Sequence, residues 1–148
     1  MGTTSNSTLR QPGMHDRKII LVYDTQCPAC HYYCQLLQIK ATVGELVLVN
    51  AREPSEIMNE ITTSSLDIDQ GMVLKMGDAL YYGSDAINIL SRIGSRSGIF
   101  NKLNYWIFRS RTVSNLLYPI LRYVRNLLLK LLGKSKINNL AIHGNDKF

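Results

Sequence analysis

The stretch Ile19-Ile20-Leu21-Val22-Tyr23-Asp24-Thr25-Gln26-Cys27-Pro28-Ala29-Cys30 decides how the chain is read. Its first five residues are a short, β-branched apolar run between Arg17-Lys18 and Asp24, a pattern that suits a strand buried on both faces. Its last four put Pro28 at the first position of a helix, with a cysteine just before that position and another one turn later. From Ala29 to Lys40, Tyr33, Leu36, Leu37 and Ile39 recur near helical spacing, and Gly44 ends the segment.

Working outward, Glu45 to Asn50 reads as a second strand and Pro54 to Ile61 as a short helix with acids near its start. Met72 to Met76 and Leu80 to Tyr82 flank Gly77-Asp78, a turn signal for an antiparallel hairpin, though in the reverse of the favoured Asp-Gly order. Ser84 or Asp85 then caps a helix to Ile93, with Ala86, Ile87, Ile89, Leu90 and Ile93 on one face. The order β-α-β-α-β-β-α predicts an α/β fold: a thioredoxin-like mixed four-stranded sheet flanked by helices over residues 17–98. The cysteine pair falls at the C-terminal end of the first strand, where α/β folds place their reactive sites.

Two more helices are expected, Phe100 to Arg109 and Val113 to Leu132, forming a C-terminal basic helical extension over residues 99–133. In the second, Val113, Leu116, Leu117, Ile120, Leu121, Val124, Leu127, Leu128, Leu131 and Leu132 cover about half the circumference, with Arg122, Arg125 and Lys130 opposite. The direct expectation is that this apolar arc packs on its own domain and the cations form a solvated rim. Those cations interrupt the run too often for a membrane span, which needs about 20 largely uncharged residues. Residues 1–16, rich in Ser, Thr and Gly, read as a disordered leader, and residues 134–148 as a flexible polar tail.

A chain of 148 residues holds one compact domain with an appendage. Its net charge of +6 is unevenly spread. Residues 1–95 carry seven Lys or Arg against ten Asp or Glu, whereas Arg96 to Lys136 carry nine cations and no carboxylate. Such segregation gives a basic surface able to meet an anionic membrane, an acidic protein or nucleic acid, and an anionic membrane surface met through Arg122, Arg125 and Lys130 is the secondary expectation beside the solvated rim. No nucleic-acid motif accompanies the charge, so nucleic acid is not expected. The three cysteines lie within eight residues, which excludes a long-range disulfide scaffold and makes the reducing cytoplasm the expected compartment.

A thiolate, not a thiol, attacks a disulfide, so a redox cysteine needs its negative charge stabilised near neutral pH. Cys27 directly precedes the first helical turn, where unpaired N–H groups and the positive end of the helix dipole converge. Cys30 is within reach of it for a disulfide. The expected cycle is attack by Cys27, a mixed disulfide, and release by Cys30. Asp24 is placed either to relay a proton during resolution or to cap the Gln26 or Cys27 N–H, readings of equal weight. Cys34 is expected to be a buried core thiol. A zinc site of Cys27, Cys30, His31 and Cys34 is disfavoured, because Cys30 and His31 are adjacent and point apart. His15 and His143 fall in the expected flexible ends, as solvated surface groups.

Tyr23 to Cys30 resembles the signature of the DCC family of thiol–disulfide oxidoreductases, named for one Asp and two Cys, here Asp24, Cys27 and Cys30. The resemblance extends to Tyr82-Gly83-Ser84-Asp85-Ala86, to Tyr118-Pro119 and to Arg125-Asn126, and spans Ile19 to Gly133. It implies a thioredoxin-like fold and a redox role for the two cysteines. Two departures stand out: Thr25 replaces the Gly that often follows the motif Asp, and Asp69-Gln70-Gly71 lacks the proline found before the third strand of thioredoxins. The function expected is thiol–disulfide exchange with protein or low-molecular-weight thiols, with no cofactor and no metal. The alternative is a non-catalytic membrane-surface or protein-binding module acting through the basic helix.

Overall fold

A computed structural model describes residues 18–37, 44–94 and 98–148; the expected leader, Ile39 and Lys40 lie outside them. The elements are β1 (Lys18–Tyr23), α1 (Pro28–Leu36), β2 (Glu45–Asn50), α2 (Glu56–Thr63), β3 (Val73–Met76), β4 (Ala79–Tyr82), α3 (Ser84–Ile93), α4 (Ile99–Phe108) and α5 (Arg111–Leu131). The strands form one mixed sheet in the order β2-β1-β3-β4, parallel between β1 and β2 and antiparallel elsewhere. This α/β sheet, with five helices among the described residues, is consistent with the thioredoxin-like fold.

β1 is one of the two inner strands, and its alternation feeds two cores. Ile19, Leu21 and Tyr23 pack with Cys34, Leu37, Leu74, Ala86 and Leu90 on one face of the sheet. Val22 packs with Ala51, Ile57, Met58, Ile61, Ile68 and Val73 on the other. Each fully buried aliphatic side chain contributes roughly 1.5–3 kcal/mol, so a strand covered on both sides is held firmly. That rigidity is what Asp24 and Cys27 inherit, since they follow directly on β1.

The hairpin forms with Met76 opposite Ala79 and Gly77-Asp78 between them. Gly77 has a positive φ of 60° and Asp78 does not, the arrangement of a two-residue turn that takes Gly first. The Gly-Asp order is thus the one this turn requires.

Two expectations are corrected. The apolar arc of α5 faces largely outward: Leu116 and Leu131 are 70% and 76% exposed, and Ile120 and Leu127 are exposed as well. The face turned to the domain carries Ser114, Tyr118, Arg125 and Leu129. The cause is electrostatic. Arg125 reaches the buried Asp24 carboxylate and donates to the Asp69 carbonyl, and Arg111 pairs with Asp85 at 3.0 Å. An uncompensated buried charge costs several kcal/mol, more than any single leucine gains by burial.

The second correction concerns residues 134–148, which are tied to the core. The buried Asp69 carboxylate accepts the backbone N–H groups of Ile137 at 2.8 Å and Asn138 at 2.6 Å. Asn139 accepts from the Ile68 N–H at 3.1 Å and donates to the Leu66 carbonyl at 2.8 Å. Residues that looked like polar tail satisfy the backbone of the loop before β3. Among the described residues no helix is long and apolar enough to cross a membrane.

Candidate active site

Cys27 is the N-cap of α1, with extended backbone (φ −81°, ψ 108°), and Pro28 follows where a helix has no N–H to lose. The backbone N–H of Cys30 donates to the Cys27 Sγ at 3.3 Å, and the Sγ atoms of Cys27 and Cys30 lie 2.8 Å apart. Of the two sulfurs, Cys27 is the one on which negative charge is favoured. Its pKa is pulled down from 9.0 to about 6, chiefly by the hydrogen bond from the Cys30 thiol. Burial opposes the fall, the Cys30 N–H and Arg125 assist it, and Asp24 resists it. Cys30 is held far above the ordinary thiol range by the same hydrogen bond and by burial.

Asp24 sits under this pair, fully buried at its side chain. Its Oδ1 accepts the Gln26 N–H at 2.9 Å and the Arg52 Nε–H at 2.7 Å, while Oδ2 accepts from Arg52 Nη2 at 2.9 Å. Arg125 Nη2 approaches Oδ2 to 3.8 Å, with its side chain only 12% exposed. Arg52 also donates to the Ser135 carbonyl at 2.7 Å, and Arg125 lies under the Phe148 ring, 5.9 Å from its centroid. The end of the chain and the end of β1 thus meet through two guanidinium groups.

A model of DCC1-like thiol-disulfide oxidoreductases matches residues 21–131, which hold both cysteines, Asp24, Arg52 and Arg125. The chain belongs to that family. No curated protein and no solved structure matches it. Within this DCC1-like oxidoreductase the three motif residues Asp24, Cys27 and Cys30 come together at one end of the sheet, and the capping role of Asp24 toward Gln26 is realised.

The two cysteine residues differ in exposure. Cys27 has 0% of its surface exposed, whereas Cys30 is partly exposed and lies on the wall of a cavity of about 260 Å³. Cys34 is buried in the core as expected, its pKa pushed up to about 12 by burial and then by the charge on Cys27. His31 is exposed at its own position and meets the Tyr23 hydroxyl at 3.0 Å through Nδ1; His143 is exposed.

Of the three cations assigned to a membrane surface, Arg125 faces the cysteine pair, Arg122 lines the cavity, and Lys130 alone is exposed. Sequence reasoning missed Arg52 altogether, because a lone Arg after β2 carries no local signal of its pairing with a residue 28 positions earlier. Tyr118 was found only as part of a motif. Its ring fills the space above Gly71 and Gly83, where an added Cβ would come within 2.6 Å and 3.2 Å of it.

Proposed function

We propose that the protein exchanges electrons with protein or low-molecular-weight thiols by cycling Cys27 and Cys30 between a dithiol and a disulfide. The observation that carries this reading is the 2.8 Å separation of the two sulfurs at a helix N-cap, and the lowering of the Cys27 pKa to about 6 supports it. A thiol of pKa about 6 is roughly 90% thiolate at pH 7, against about 1% for one at 9. Asp24 serves this chemistry as a positioning residue: it holds Arg52 and Arg125, and with both oxygens given to guanidinium N–H groups it has little room for a travelling proton. Equilibration in graded glutathione buffers, followed by acid quench, alkylation and peptide mapping, tests the proposal. A Cys27–Cys30 disulfide should form and revert reversibly; a pair that stays reduced or never reduces across the series removes it.

A second reading is favoured by a separate observation, the uncovered apolar side chains of α4 and α5, including Trp106 at 73% exposure and Leu116, Ile120 and Leu131. No carboxylate occurs in residues 86–145. An apolar surface in a cationic field fits the interfacial region of an anionic bilayer. Sedimentation with anionic vesicles should carry the protein down and Leu116→Glu/Leu131→Glu should release it; failure of the unchanged chain to sediment removes this reading.

A further inference from the structure

We propose that the cavity beside the cysteine pair is a binding site for a small apolar carboxylate, its chain or ring held among apolar side chains and its charged group paired with Arg122. No bond to sulfur forms, so the site operates whether or not Cys27 and Cys30 cycle. The cavity, of about 260 Å³, is walled by Tyr33 of α1, Met72 just before β3, Ile87 of α3, Phe108 of α4, and Leu121 and Val124 of α5. It falls just below the roughly 300–1,000 Å³ of drug-sized sites, so it suits one short chain or one ring and not a lipid with two acyl chains. Leu121 and Val124 are exposed while lining it, which gives a ligand a way in along α5.

The polar groups of the wall are already engaged, with one exception. The Tyr33 hydroxyl donates to Asn104 Oδ1 at 3.0 Å. The Asp24 carboxylate accepts two N–H bonds from Arg52 and one from Gln26. Arg125 lies 3.8 Å from that carboxylate and donates to the Asp69 carbonyl. Among the described residues Arg122 makes no hydrogen bond and no ion pair, and it is only partly exposed. A guanidinium that has lost part of its hydration gains from a carboxylate that takes two parallel N–H bonds. Of the charged residues lining the cavity, Arg122 and Arg125 face one carboxylate, Asp24, and Arg52 already neutralises that one. The remaining charge is positive. A neutral apolar molecule leaves Arg122 without a partner, and a cation is repelled, so the class that satisfies both wall and edge is an apolar anion.

The test is an amide-resolved NMR titration of the reduced full chain with octanoate, kept below the concentration at which it forms micelles. Saturable shifts should appear at Gly71, Ile87 and Arg122, while the Trp106 indole N–H and the Leu131 amide, on the outer apolar face, stay unmoved. Through butanoate, hexanoate and octanoate, affinity should rise about fourfold per methylene until the cavity is full. Octanol and octylammonium should each bind at least about tenfold more weakly than octanoate. Arg122→Gln should weaken octanoate about tenfold and leave octanol within about twofold. Leu121→Trp and Val124→Trp, which fill the cavity from its exposed edge, should weaken acid and alcohol alike. Dihexanoyl phosphatidylglycerol, dispersed below its own micelle concentration, should not displace octanoate.

Shifts that never saturate at the cavity amides, or that grow in step at Trp106 and Leu131, mean that the acid merely coats the outer face and overturn the proposal. Octanol as tight as octanoate, or an Arg122→Gln protein with unchanged affinity, overturns the pairing with Arg122. Displacement by the phosphatidylglycerol assigns the site to a lipid head group and overturns the free acid as its ligand. A reversible Cys27–Cys30 bridge without octanoate binding leaves the redox reading standing and removes this site; binding without such a bridge does the reverse.

Discussion

Replacing Asp24 by Asn separates the two roles open to this residue. The carboxylate is buried with its side chain inaccessible, and it accepts two N–H bonds from Arg52 and one from Gln26, with Arg125 at 3.8 Å. An amide of the same shape keeps one acceptor for Gln26 and Arg52 but turns its NH₂ toward the other guanidinium N–H and removes the countercharge. Breaking a buried pair costs roughly 3–5 kcal/mol. Arg52 keeps its bond to the Ser135 carbonyl, so the low end applies, about 3 kcal/mol, or a fall in Tm of roughly 6–12 °C. The thiolate moves the other way: Asp24 opposes ionisation of Cys27, so its removal should lower the Cys27 pKa below its present value of about 6. Urea unfolding gives the first quantity and ultraviolet thiolate absorbance against pH the second. A destabilised protein whose thiolate forms at lower pH and still exchanges fits a positioning residue. A protein of unchanged stability, or one whose exchange falls by the roughly 10²–10⁴-fold expected for loss of a general acid–base group, refutes the reasoning.

Leu129→Ala should cost about 2–5 kcal/mol in urea unfolding, because Leu129 is fully buried. Leu131→Ala, two residues on but 76% exposed, should change stability by no more than about 0.5 kcal/mol; comparable losses would mean α5 lies the other way round. Asp69→Ala removes the acceptor for the Ile137 and Asn138 N–H groups, so hydrogen exchange at those two amides should accelerate while the sheet stays protected, and unchanged exchange there would contradict the docked segment. The reduced protein should lose stability on both sides of neutrality. Cys27, depressed to about 6, contributes stability above the ordinary thiol value that fades as pH falls through 6; Cys34, raised to about 12, contributes below the ordinary value of 9.0 and fades as pH climbs from there toward 12. Urea midpoints across pH should show the alkaline decline softened in Cys34→Ala; a decline of equal size in that variant would count against the assignment.

The sheet was legible because each strand announces itself locally: β1 by an unbroken apolar run, β2 by its match to it, and the hairpin by Gly77-Asp78. The cysteine pair was legible for the same reason, since helix capping involves only neighbours in sequence. The ion pairs were not. Arg52 and Asp24 are 28 residues apart, and the Asp69 contacts to Ile137 and Asn138 span 68 and 69. Periodicity gave the right helix for α5 and the wrong face, because a hydrophobic pattern describes the stripe that gains most from burial and is silent on a buried carboxylate that needs a cation. The cavity beside Cys30 was also beyond reach, being built by what α5 and the loop before β3 place around it.

The inward turn of Arg125 and the outward turn of the leucines are one event. At about 100° per residue, Leu116, Ile120, Tyr123, Leu127 and Leu131 fall roughly 120–180° around α5 from Arg125, while Ser114, Tyr118, Arg122 and Leu129 fall within about 60° of it. Once Arg125 is drawn to Asp24, no rotation of the helix brings those apolar residues to the domain. The same placement sets Tyr118 over Gly71 and Gly83, and it puts Leu121, Arg122 and Val124 on the cavity that Cys30 faces. The motif carboxylate therefore does more than neighbour the cysteines in sequence. By fixing α5, it builds one wall of the cavity that Cys30 also lines, and it leaves an apolar face on the far side of the same helix.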